Sequence, residues 1–348
     1  MIDYQSAGVN IDAGNEIITR IKTSVKQTFD KQVIGDLGGF AALYDLQAIM
    51  TAYQAPLLVQ SMDGVGTKTI LATMMQHYDT LGDDLLSATA NDIIVCGAKP
   101  LTLLDYVGGG QLNPDVVVAI IQSLCRACAR EGVALVGGET AEMPGIYKGQ
   151  EYTLVGLVTG VVEKTKVVTG KTIQPGDVVL GFSSTGLHTN GYSLARKLCF
   201  DVAGHTVDSR VAELGETSIG EILLTPHRNY TKVVLDLLEQ FPIKGMAHIT
   251  GGGLIENIPR ILPAGCSVQL QAQSWPCLPI FDYLVKLGSI RVDEAYRTFN
   301  MGIGFVLVVD KSIAPAVMRY TSEHFQETPY PLYVIGEVVA GAQQVTIQ

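Results

Sequence analysis

The stretch "QSMDGVGTKT" (residues 60–69) carries three features that together decide the class of fold. It follows the apolar run "PLLV" (56–59), it places glycines directly after Asp63, and it ends at Thr67 and Lys68, where a helical pattern begins. A buried strand, a glycine turn and a helix in this order are typical of α/β proteins. The spacing matches neither the P-loop, which needs Gly-Lys-Ser/Thr, nor the dinucleotide-binding loop.

The same order of strand, small polar loop and helix or turn recurs along the chain, at 91–92, 137–145, 184–191 and 250–257. The predicted helices span 13–29, 67–77, 83–96, 114–131, 226–240 and 255–262. The predicted strands span 56–59, 100–108, 133–138, 152–162, 178–183, 245–249, 266–271, 301–309 and 332–338. This alternation predicts an α/β (α+β layers) fold. The polar segment 163–177 predicts a boundary between two α/β domains, 1–168 and 169–348.

Composition excludes several classes of function. The net charge of −10 and the absence of a Lys/Arg run argue against a nucleic-acid binder. No apolar run approaches the ~20 residues that a membrane span needs, and "MIDYQSAGVNIDAGNE" lacks the features of a signal peptide. A cytoplasmic protein is therefore expected. Cys125 and Cys128 lie in a helical pattern without a second pair, so we interpret them as helix thiols.

Asp63 is the first candidate site residue. Gly64 and Gly66 permit a close approach to phosphate oxygens, and Lys68 supplies a positive charge. An aspartate here would repel a polyphosphate unless a divalent cation lay between them, and Mg²⁺ is commonly held by one or two carboxylates plus phosphates. Asp63 is either an Mg²⁺ ligand or a cap of the following helix, and the loop alone leaves both open.

Two further segments carry carboxylates in unusual settings. Asp92 follows Asn91 inside an otherwise small and apolar helix, where it is either a surface residue or a second metal ligand. Glu139 and Glu142 come after a Gly-Gly turn in a loop rich in glycine and proline. That context favours metal or nucleotide binding over a charged helix face.

The second half of the chain offers two loops. His188 lies between small residues and Asn190, a setting that suits acid–base chemistry, although a single histidine is often structural. The three glycines at 251–253 precede a helix, whose N-terminus can bind an anion. The alternative is a strained turn that needs glycine.

Taken together and in order, these segments resemble the phosphoribosylformylglycinamidine cyclo-ligase (aminoimidazole ribonucleotide synthetase) family nearly from end to end. One departure is Leu187, where the family usually has proline; this alters the stiffness of the loop and leaves the role of the histidine unchanged. The segments that carry the resemblance are "YQSAGVNIDAGNE", "GDLGGFAALYDL", "DGVGTK", "NDIIVCGAKP", "LDY", "GGETAEMPGIY", "HTNGYSLARK", "AHITGGGLIENIPR" and "AYRTFNMGIGF".

The resemblance implies ATP-dependent cyclisation of formylglycinamidine ribonucleotide to aminoimidazole ribonucleotide in purine biosynthesis, with Mg²⁺ and often K⁺. It implies catalytic roles for His188 and Asp92, with His188 near the substrate amide as proton donor or acceptor. The implied metal ligands are Asp63, Asp92 and Glu139. The implied ATP-binding residues are Asp63, Gly64, Val65, Gly66, Thr67, Lys68, Gly137, Gly138 and Lys22. The implied substrate-binding residues are His188, Asn190, Thr250, Gly251, Gly252 and Gly253. Whether Glu142 or Lys22 contacts the nucleotide is left open.

Three other functions agree less well with the sequence than the cyclo-ligase function. A selenophosphate synthetase needs a reactive Cys or selenocysteine in its glycine-rich loop, and "IGDLGGF" (34–40) has none. A thiamine-monophosphate kinase should lack "GGETAEMPG" and "HTNGYS". A catalytically idle nucleotide-binding subunit would have lost acidic residues, yet Asp63, Asp92 and Glu139 are all present.

The strand "YTLVGLVTGVV" (152–162) bears on whether the protein forms an oligomer. Tyr152 and Leu154 lie on one face and Val155 and Leu157 on the other, so both faces are apolar and both must be covered. Helices of the first domain can cover one face. For the other, the resemblance implies the N-terminal sheet of a second copy, and hence a homodimer.

Overall fold

The computed structural model describes residues 7–348. Tyr4–Ser6 of the first resemblance segment, and the start of the segment that argued against a signal peptide, lie outside the described residues. The chain divides into two units, one of Met1–Ile93 with Ala98–Thr165 and one of Ile94–Gly97 with Lys166–Gln348. After the short excursion at Ile94–Gly97, the chain passes from unit 1 to unit 2 between Thr165 and Lys166, inside the polar segment 163–177.

Unit 1 is built on a four-stranded mixed sheet of order β3-β6-β4-β5, in which only β4 and β5 are parallel, and it also has a small hairpin, β1-β2. Its elements are α1 Ile11–Lys26, β1 Val33–Ile34, β2 Leu43–Tyr44, α2 Gln47–Ala52, β3 Pro56–Gly64, α3 Lys68–Met75, α4 Leu81–Ile94 (whose last residue belongs to unit 2), β4 Lys99–Gly109, α5 Pro114–Glu131, β5 Ala134–Glu142 and β6 Tyr152–Glu163.

Helix α5 has the boundaries that its sequence predicts. The Asn113 side chain accepts a hydrogen bond from Asp115 N at 3.0 Å, Pro114 opens the helix, and Gly132 ends it at φ +68°. The thiols of Cys125 and Cys128 are buried and unbridged, as expected.

Two strands of unit 1 run further than the sequence predicts. Strand β3 continues through Asp63 to Gly64, and β5 continues to Glu142, so the predicted loop carrying both glutamates is part of a strand. Backbone pairing with the long strands β6 and β4 explains both extensions, because a paired partner overrides the local preference of glycine-rich sequence.

Strand β6 alternates as predicted, with Tyr152, Leu154 and Val158 buried and Val155 and Leu157 only half-buried. Residues 56–59 form a strand as predicted, but the prediction that this strand is buried is wrong for the single chain. Leu58 is 65% exposed, and so is Met62 further along the strand at 68%. Leu58 and Met62 project from the same face of β3, which the chain leaves exposed, whereas Val59 and Ser61 on the opposite face are half-buried.

Unit 2 is built on a six-stranded sheet of order β12-β9-β11-β7-β10-β8, in which only β12 and β9 are parallel. Its elements are β7 Val178–Ser183, α6 Tyr192–Arg196, a π-helical turn Lys197–Val202, α7 Ile219–Leu224, α8 Thr231–Gln240, β8 Gly245–His248, α9 Gly253–Asn257, β9 Cys266–Leu270, α10 Pro279–Gly288, α11 Val292–Thr298, β10 Ile303–Val309, α12 Ala314–His324, β11 Leu332–Ala340 and β12 Val345–Ile347. Three-residue and four-residue 3₁₀ turns follow β6, precede α7, and follow α9 and β9.

The core of unit 2 joins the central strands to α8. The ring centroids of Phe182 and Phe305 lie 5.7 and 5.4 Å from that of Tyr230, and Leu237 and Val317 belong to the same cluster. Helix α8 begins at Thr231 rather than at residue 226, so the segment before it is irregular and carries His227 into the interior. The predicted helix over 255–262 is also shorter, because a 3₁₀ turn containing Pro259 follows α9.

The two mixed sheets with helices confirm the α/β class. Within residues 7–348, no helix has the length and apolar character needed to cross a membrane.

Candidate functional site

Unit 1 contains a cavity of about 840 Å³ between α1, the glycine-rich segment 36–42 and the strands β4 and β5. Its lining includes Ile21 of α1, Asp105 of β4, and Gly138 and Glu139 of β5. This volume lies within the range of small-molecule binding sites. The cavity therefore brings together Gly137 and Gly138, which the resemblance assigns to ATP, and Glu139, which it assigns to the metal.

Ion pairs tie the segment 36–42 to α1. Lys26 Nζ lies 2.7 Å from Asp36 Oδ1, and Lys22 Nζ lies 3.7 Å from Asp36 Oδ2. The Lys26 ammonium holds the pKa of the Asp36 carboxyl below its ordinary value. Since all three side chains are about half exposed, these pairs are weak. Lys22 is thus a half-exposed cation paired with Asp36, which lines the cavity.

Asp105 is a cavity residue that the sequence analysis did not single out. Burial raises the pKa of its carboxyl to about 7. A Cβ added to Gly138 would come within 2.3 Å of Asp105 Oδ1, so this position accepts only glycine. An aspartate in the middle of the apolar strand "LTLLDYV" is the signal that could have found it.

Asp63 and Asp105 lie in the same row of the sheet, on either side of Gly156 of β6. Side chains in one cross-strand row project from the same face, and Leu85 of α4 covers Gly156 on that face. Asp92 of α4 lies on this side as well, since Ser61 of β3 donates a hydrogen bond to Asp92 Oδ2 at 3.0 Å.

Glu139 lies on the other face of the sheet. It belongs to the next row, which runs from Gly64 through Val155 and Tyr106. β3 and β5 are opposite edges of the sheet, three strand spacings or about 14 Å apart. Asp63, Asp92 and Glu139 are therefore not assembled as one ligand set. Across residues 7–348, no three His, Cys, Asp or Glu side chains are arranged to hold a metal ion.

The ammonium group of Lys68 is not placed to face a phosphate, although the sequence predicted that it would be. The side chain is fully buried, and its Nζ lies 2.8 Å from Oδ1 of the equally buried Asp84. Gly64 also has a structural explanation, because a Cβ there would lie 2.6 Å from Leu154 O of the neighbouring strand. Val65 is buried, whereas Gly66, at φ +56°, and Thr67 are more accessible.

Glu142 has two backbone partners. Its Oε1 accepts a hydrogen bond from Leu112 N at 2.8 Å, and its Oε2 accepts one from Asn10 N. This carboxylate therefore joins three segments of unit 1, and its oxygens are directed at the protein backbone rather than into the cavity.

In unit 2, His188 is completely buried, at φ +62°. Thr185 N donates to His188 Nε2 at 3.2 Å, which assigns the proton of the neutral ring to Nδ1. His227 stacks on the ring with centroids 4.1 Å apart, and Tyr230 lies at 6.3 Å. The predicted proton exchange between His188 and a substrate therefore conflicts with the burial of this ring.

The loop Thr250–Gly253 is adjacent to the loop that contains Asn190. Asn190 Oδ1 lies 3.6 Å from the point where Gly251 would carry a Cβ. Gly252 and Gly253 have φ of +94° and +58°, and a Cβ on Gly253 would lie 2.0 Å from Tyr296 O. The turn therefore requires glycine at these positions, which is the structural alternative that the sequence offered. The same geometry also leaves room for a ligand-binding role.

Two more side chains shape this turn. Asn257 Nδ2 donates to Gly253 O at 2.8 Å and to Thr250 O and Gly251 O at 3.3 Å. Glu256, which lies beside Gly252, is paired with Arg297 at 2.5 Å. Arg297 is a cation that the sequence analysis did not connect with this loop.

Two family models match the chain. The N-terminal domain of AIR synthase related proteins matches residues 44–162, and the C-terminal domain of the same family matches residues 174–348.

The chain is also similar to curated phosphoribosylformylglycinamidine cyclo-ligases. It is 47% identical to that of Geobacillus kaustophilus (strain HTA426), over 97% of this chain and 96% of that one. It is 45% identical to that of Alkaliphilus metalliredigens (strain QYMF), over 99% and 98%.

Among solved structures, the thiamine-monophosphate kinase of Stenotrophomonas maltophilia K279a has a TM-score of 0.66 at 17% identity, covering 96% of each chain. The hydrogenase maturation protein HypE of E. coli has a TM-score of 0.66 at 16% identity, covering 96% and 93%. At these identities the likeness concerns the fold alone.

Proposed function

This chain belongs to the phosphoribosylformylglycinamidine cyclo-ligase family of purine-biosynthetic ligases, and we propose that it closes the imidazole ring of 5-aminoimidazole ribonucleotide at the expense of ATP. The observation that carries the proposal is an identity of 45–47% with such enzymes over nearly the whole chain. The thiamine-monophosphate kinase shares only the fold, at 17% identity.

The chemistry has two steps. An amide oxygen is a poor leaving group, so it is first phosphorylated by ATP, which releases ADP. The amidine nitrogen then attacks the activated carbon and loses a proton, a C–N bond closes the ring, and the C–O bond to phosphate breaks. Phosphoryl transfer requires positioning and neutralisation of charge more than covalent help from the protein.

We assign ATP to the cavity of unit 1. Gly137 and Gly138 present backbone at its wall, the glycine-rich segment 36–42 forms another wall, and Lys22 is the adjacent cation. Gly66 and Thr67 are more accessible than Val65 and remain proposed phosphate contacts. Lys68, fixed on Asp84, supports this loop from inside.

The donors of unit 1 fit Mg²⁺, which is commonly held by one or two carboxylates plus phosphates. We propose Asp63 and Asp92, which lie on the same side of the sheet, as one pair of ligands and Glu139 as a ligand at the cavity. The metal would neutralise the negative charge of the phosphates. The role of the chain itself is to hold these carboxylates on rigid strands and on helix α4.

We assign the ribonucleotide to unit 2, where the Asn190 loop adjoins Thr250–Gly253. The 5′-phosphate would meet the backbone of Gly251–Gly253 and compete with Glu256 for Arg297. Asn190 is half-buried and can reach a ligand. Because the ring of His188 is buried, its proposed role is to shape this loop beneath the substrate.

We further propose a cytoplasmic homodimer formed through the open face of the N-terminal sheet. Met62, Leu157 and Leu104 lie in one row across three strands of that face, and Met62 and Leu104 are 68% and 40% exposed. Such a continuous apolar row is a typical protein-binding surface. A second copy would cover it with the same row.

The decisive experiment incubates the protein with ATP, Mg²⁺ and formylglycinamidine ribonucleotide and measures both aminoimidazole product and ADP. The expected result is equimolar formation of the two, dependent on Mg²⁺. Thiamine monophosphate replaces the substrate in a parallel reaction and should give no ADP. Absence of the aminoimidazole product from folded protein would refute the proposed function.

A further inference from the structure

Three histidines of unit 2 meet in its interior although they come from three segments. His188 lies in the loop after β7, His227 in the irregular segment before α8, and His248 at the end of β8. Their side chains are 0%, 2% and 5% exposed. A loop of small polar residues around His188 indicates a functional setting, whereas no such pattern surrounds His227.

His227 is the central member of this cluster. Its ring stacks on His188 with centroids 4.1 Å apart and an interplanar angle of 18°. Its Nδ1 lies 3.3 Å from Thr189 Oγ1, and its Nε2 lies 3.1 Å from His248 Nε2. One side chain therefore joins the His188–Asn190 loop to the strand that leads directly into Thr250–Gly253.

The contact between the two Nε2 atoms depends on protonation. A hydrogen bond between two nitrogens needs one N–H and one bare nitrogen. If both rings were doubly protonated, two N–H groups would face each other and the bond would be lost. The Thr189 hydroxyl can donate or accept, so it is compatible with either tautomer of His227.

Arg228, Tyr230 and Phe305 are the neighbouring charged, titratable and aromatic groups of the cluster. Arg228 is the next residue, and its guanidinium donates to Pro329 O at 3.1 Å. Tyr230 stays neutral, because burial raises the pKa of its hydroxyl, which donates to Ser183 O at 2.8 Å. Phe305 of β10 lies 6.4 Å from the His248 ring and carries no charge, and the His188 ring stacks on His227 from the loop.

We propose that His227 is a positioning residue for the ribonucleotide. It holds the His188–Asn190 loop and the Thr250–Gly253 loop in a fixed relative position. It does so only while a single proton is shared between the Nε2 atoms of His227 and His248. The inference rests on the proposed function, which assigns the substrate to these two loops. A histidine that merely filled the core would need neither polar contact, and an apolar ring would be buried at lower cost.

Steady-state kinetics test the role. His227→Phe keeps a ring for stacking and removes both polar contacts, and His227→Gln keeps an amide that can reach His248. We expect the KM for formylglycinamidine ribonucleotide to rise about tenfold in His227→Phe, as for the loss of one or two hydrogen bonds, and to recover partly in His227→Gln. The KM for ATP should change less than about twofold.

His205→Phe is the matched control, because His205 also has a ring nitrogen close to a hydroxyl, 2.6 Å from Tyr283, outside this cluster. It should leave both KM values unchanged. In the wild type, the KM for the ribonucleotide should also rise in acid, where both rings become protonated and the N–H···N hydrogen bond is lost, and this rise should be absent in His227→Phe. Equal changes in both KM values, or a lower Tm with unchanged KM values, would overturn the proposal.

A measurement without substrate separates this inference from the proposed function. In protein with ¹⁵N-labelled histidine, a scalar coupling between the two Nε2 atoms reports the N–H···N hydrogen bond directly. We expect the coupling at neutral pH, its loss in acid, and its absence in His227→Phe. No coupling at any pH in the wild type would overturn the proposal, whereas coupling in a protein that forms no product would refute only the proposed function.

Discussion

Lys68 Nζ and Asp84 Oδ1 lie 2.8 Å apart with both side chains fully buried. This ion pair joins the first residue of α3 to the first turn of α4. Burial lowers the pKa of Lys68, and the Asp84 carboxylate opposes that shift. The lysine of the "DGVGTK" segment thus acts inside the protein, where a charge without its partner is costly.

Lys68→Met should therefore lower the stability of the protein rather than its affinity for ATP. Removal of one partner leaves a buried carboxylate, so the free energy of unfolding should fall by about 3–5 kcal/mol, whereas Lys68→Met/Asp84→Leu should recover most of that loss. Urea denaturation measures both variants. A stable Lys68→Met protein with a strongly raised KM for ATP would restore Lys68 as a phosphate ligand.

Asp92→Asn should impair the use of Mg²⁺. Loss of one charge beside Asp63 should weaken binding of the metal–nucleotide complex, so turnover at limiting Mg²⁺ should fall about tenfold or more and recover partly at high Mg²⁺. Ser61→Ala is the control, since it removes only the hydrogen bond to Asp92. Near-normal turnover of Asp92→Asn at limiting Mg²⁺ would remove Asp92 from the metal site.

Met62→Glu should prevent assembly. The native protein should sediment at twice the chain mass of 37.3 kDa at low micromolar concentration. A charge in the Met62–Leu157–Leu104 row should give a monomer or insoluble protein, because a carboxylate cannot be buried without a partner. Met74→Glu, at a methionine on α3 that is 45% exposed, should remain dimeric. An active monomer of the native chain would contradict the proposed dimer.

Asp105→Asn should change how stability depends on pH. The folded pKa of this carboxyl, about 7, lies above the value of 3.8 for an ordinary aspartate. The folded state therefore holds the proton more tightly, and stability falls as pH rises from about 4 to 7. In nucleotide-free protein, Asp105→Asn should raise Tm relative to wild type at pH 8 and change it little at pH 4. Equal effects at both pH values would show that the carboxyl is not perturbed.

Glu142→Gln and Glu139→Gln should give opposite results, although the two residues are three apart on β5. Glu142 accepts hydrogen bonds from two backbone amides, so its variant should lose about 1–3 kcal/mol of stability at an unchanged KM for ATP. Glu139 is exposed at the cavity, so its variant should keep its stability and show a raised KM for ATP. If Glu142→Gln alone raised this KM, Glu142 would be the nucleotide residue of the pair.

The sequence by itself determined the α/β class, the helix from Pro114 to Glu131 with its caps, and the two-faced character of β6. These features follow from local rules: capping residues and proline fix where a helix begins, and side chains alternate along every strand. The ordered motifs also indicated the family, which the comparisons confirm.

Only the tertiary structure decided which residues meet. Strand order places Glu139 at the opposite edge of the sheet from Asp63, and the register places Asp105 in the row of Asp63. The irregular segment before α8 carries His227 between His188 and His248. Contacts of this kind join residues far apart in the chain, and periodicity describes one segment at a time, so strand pairing and packing, rather than any local pattern, set the geometry of both candidate sites.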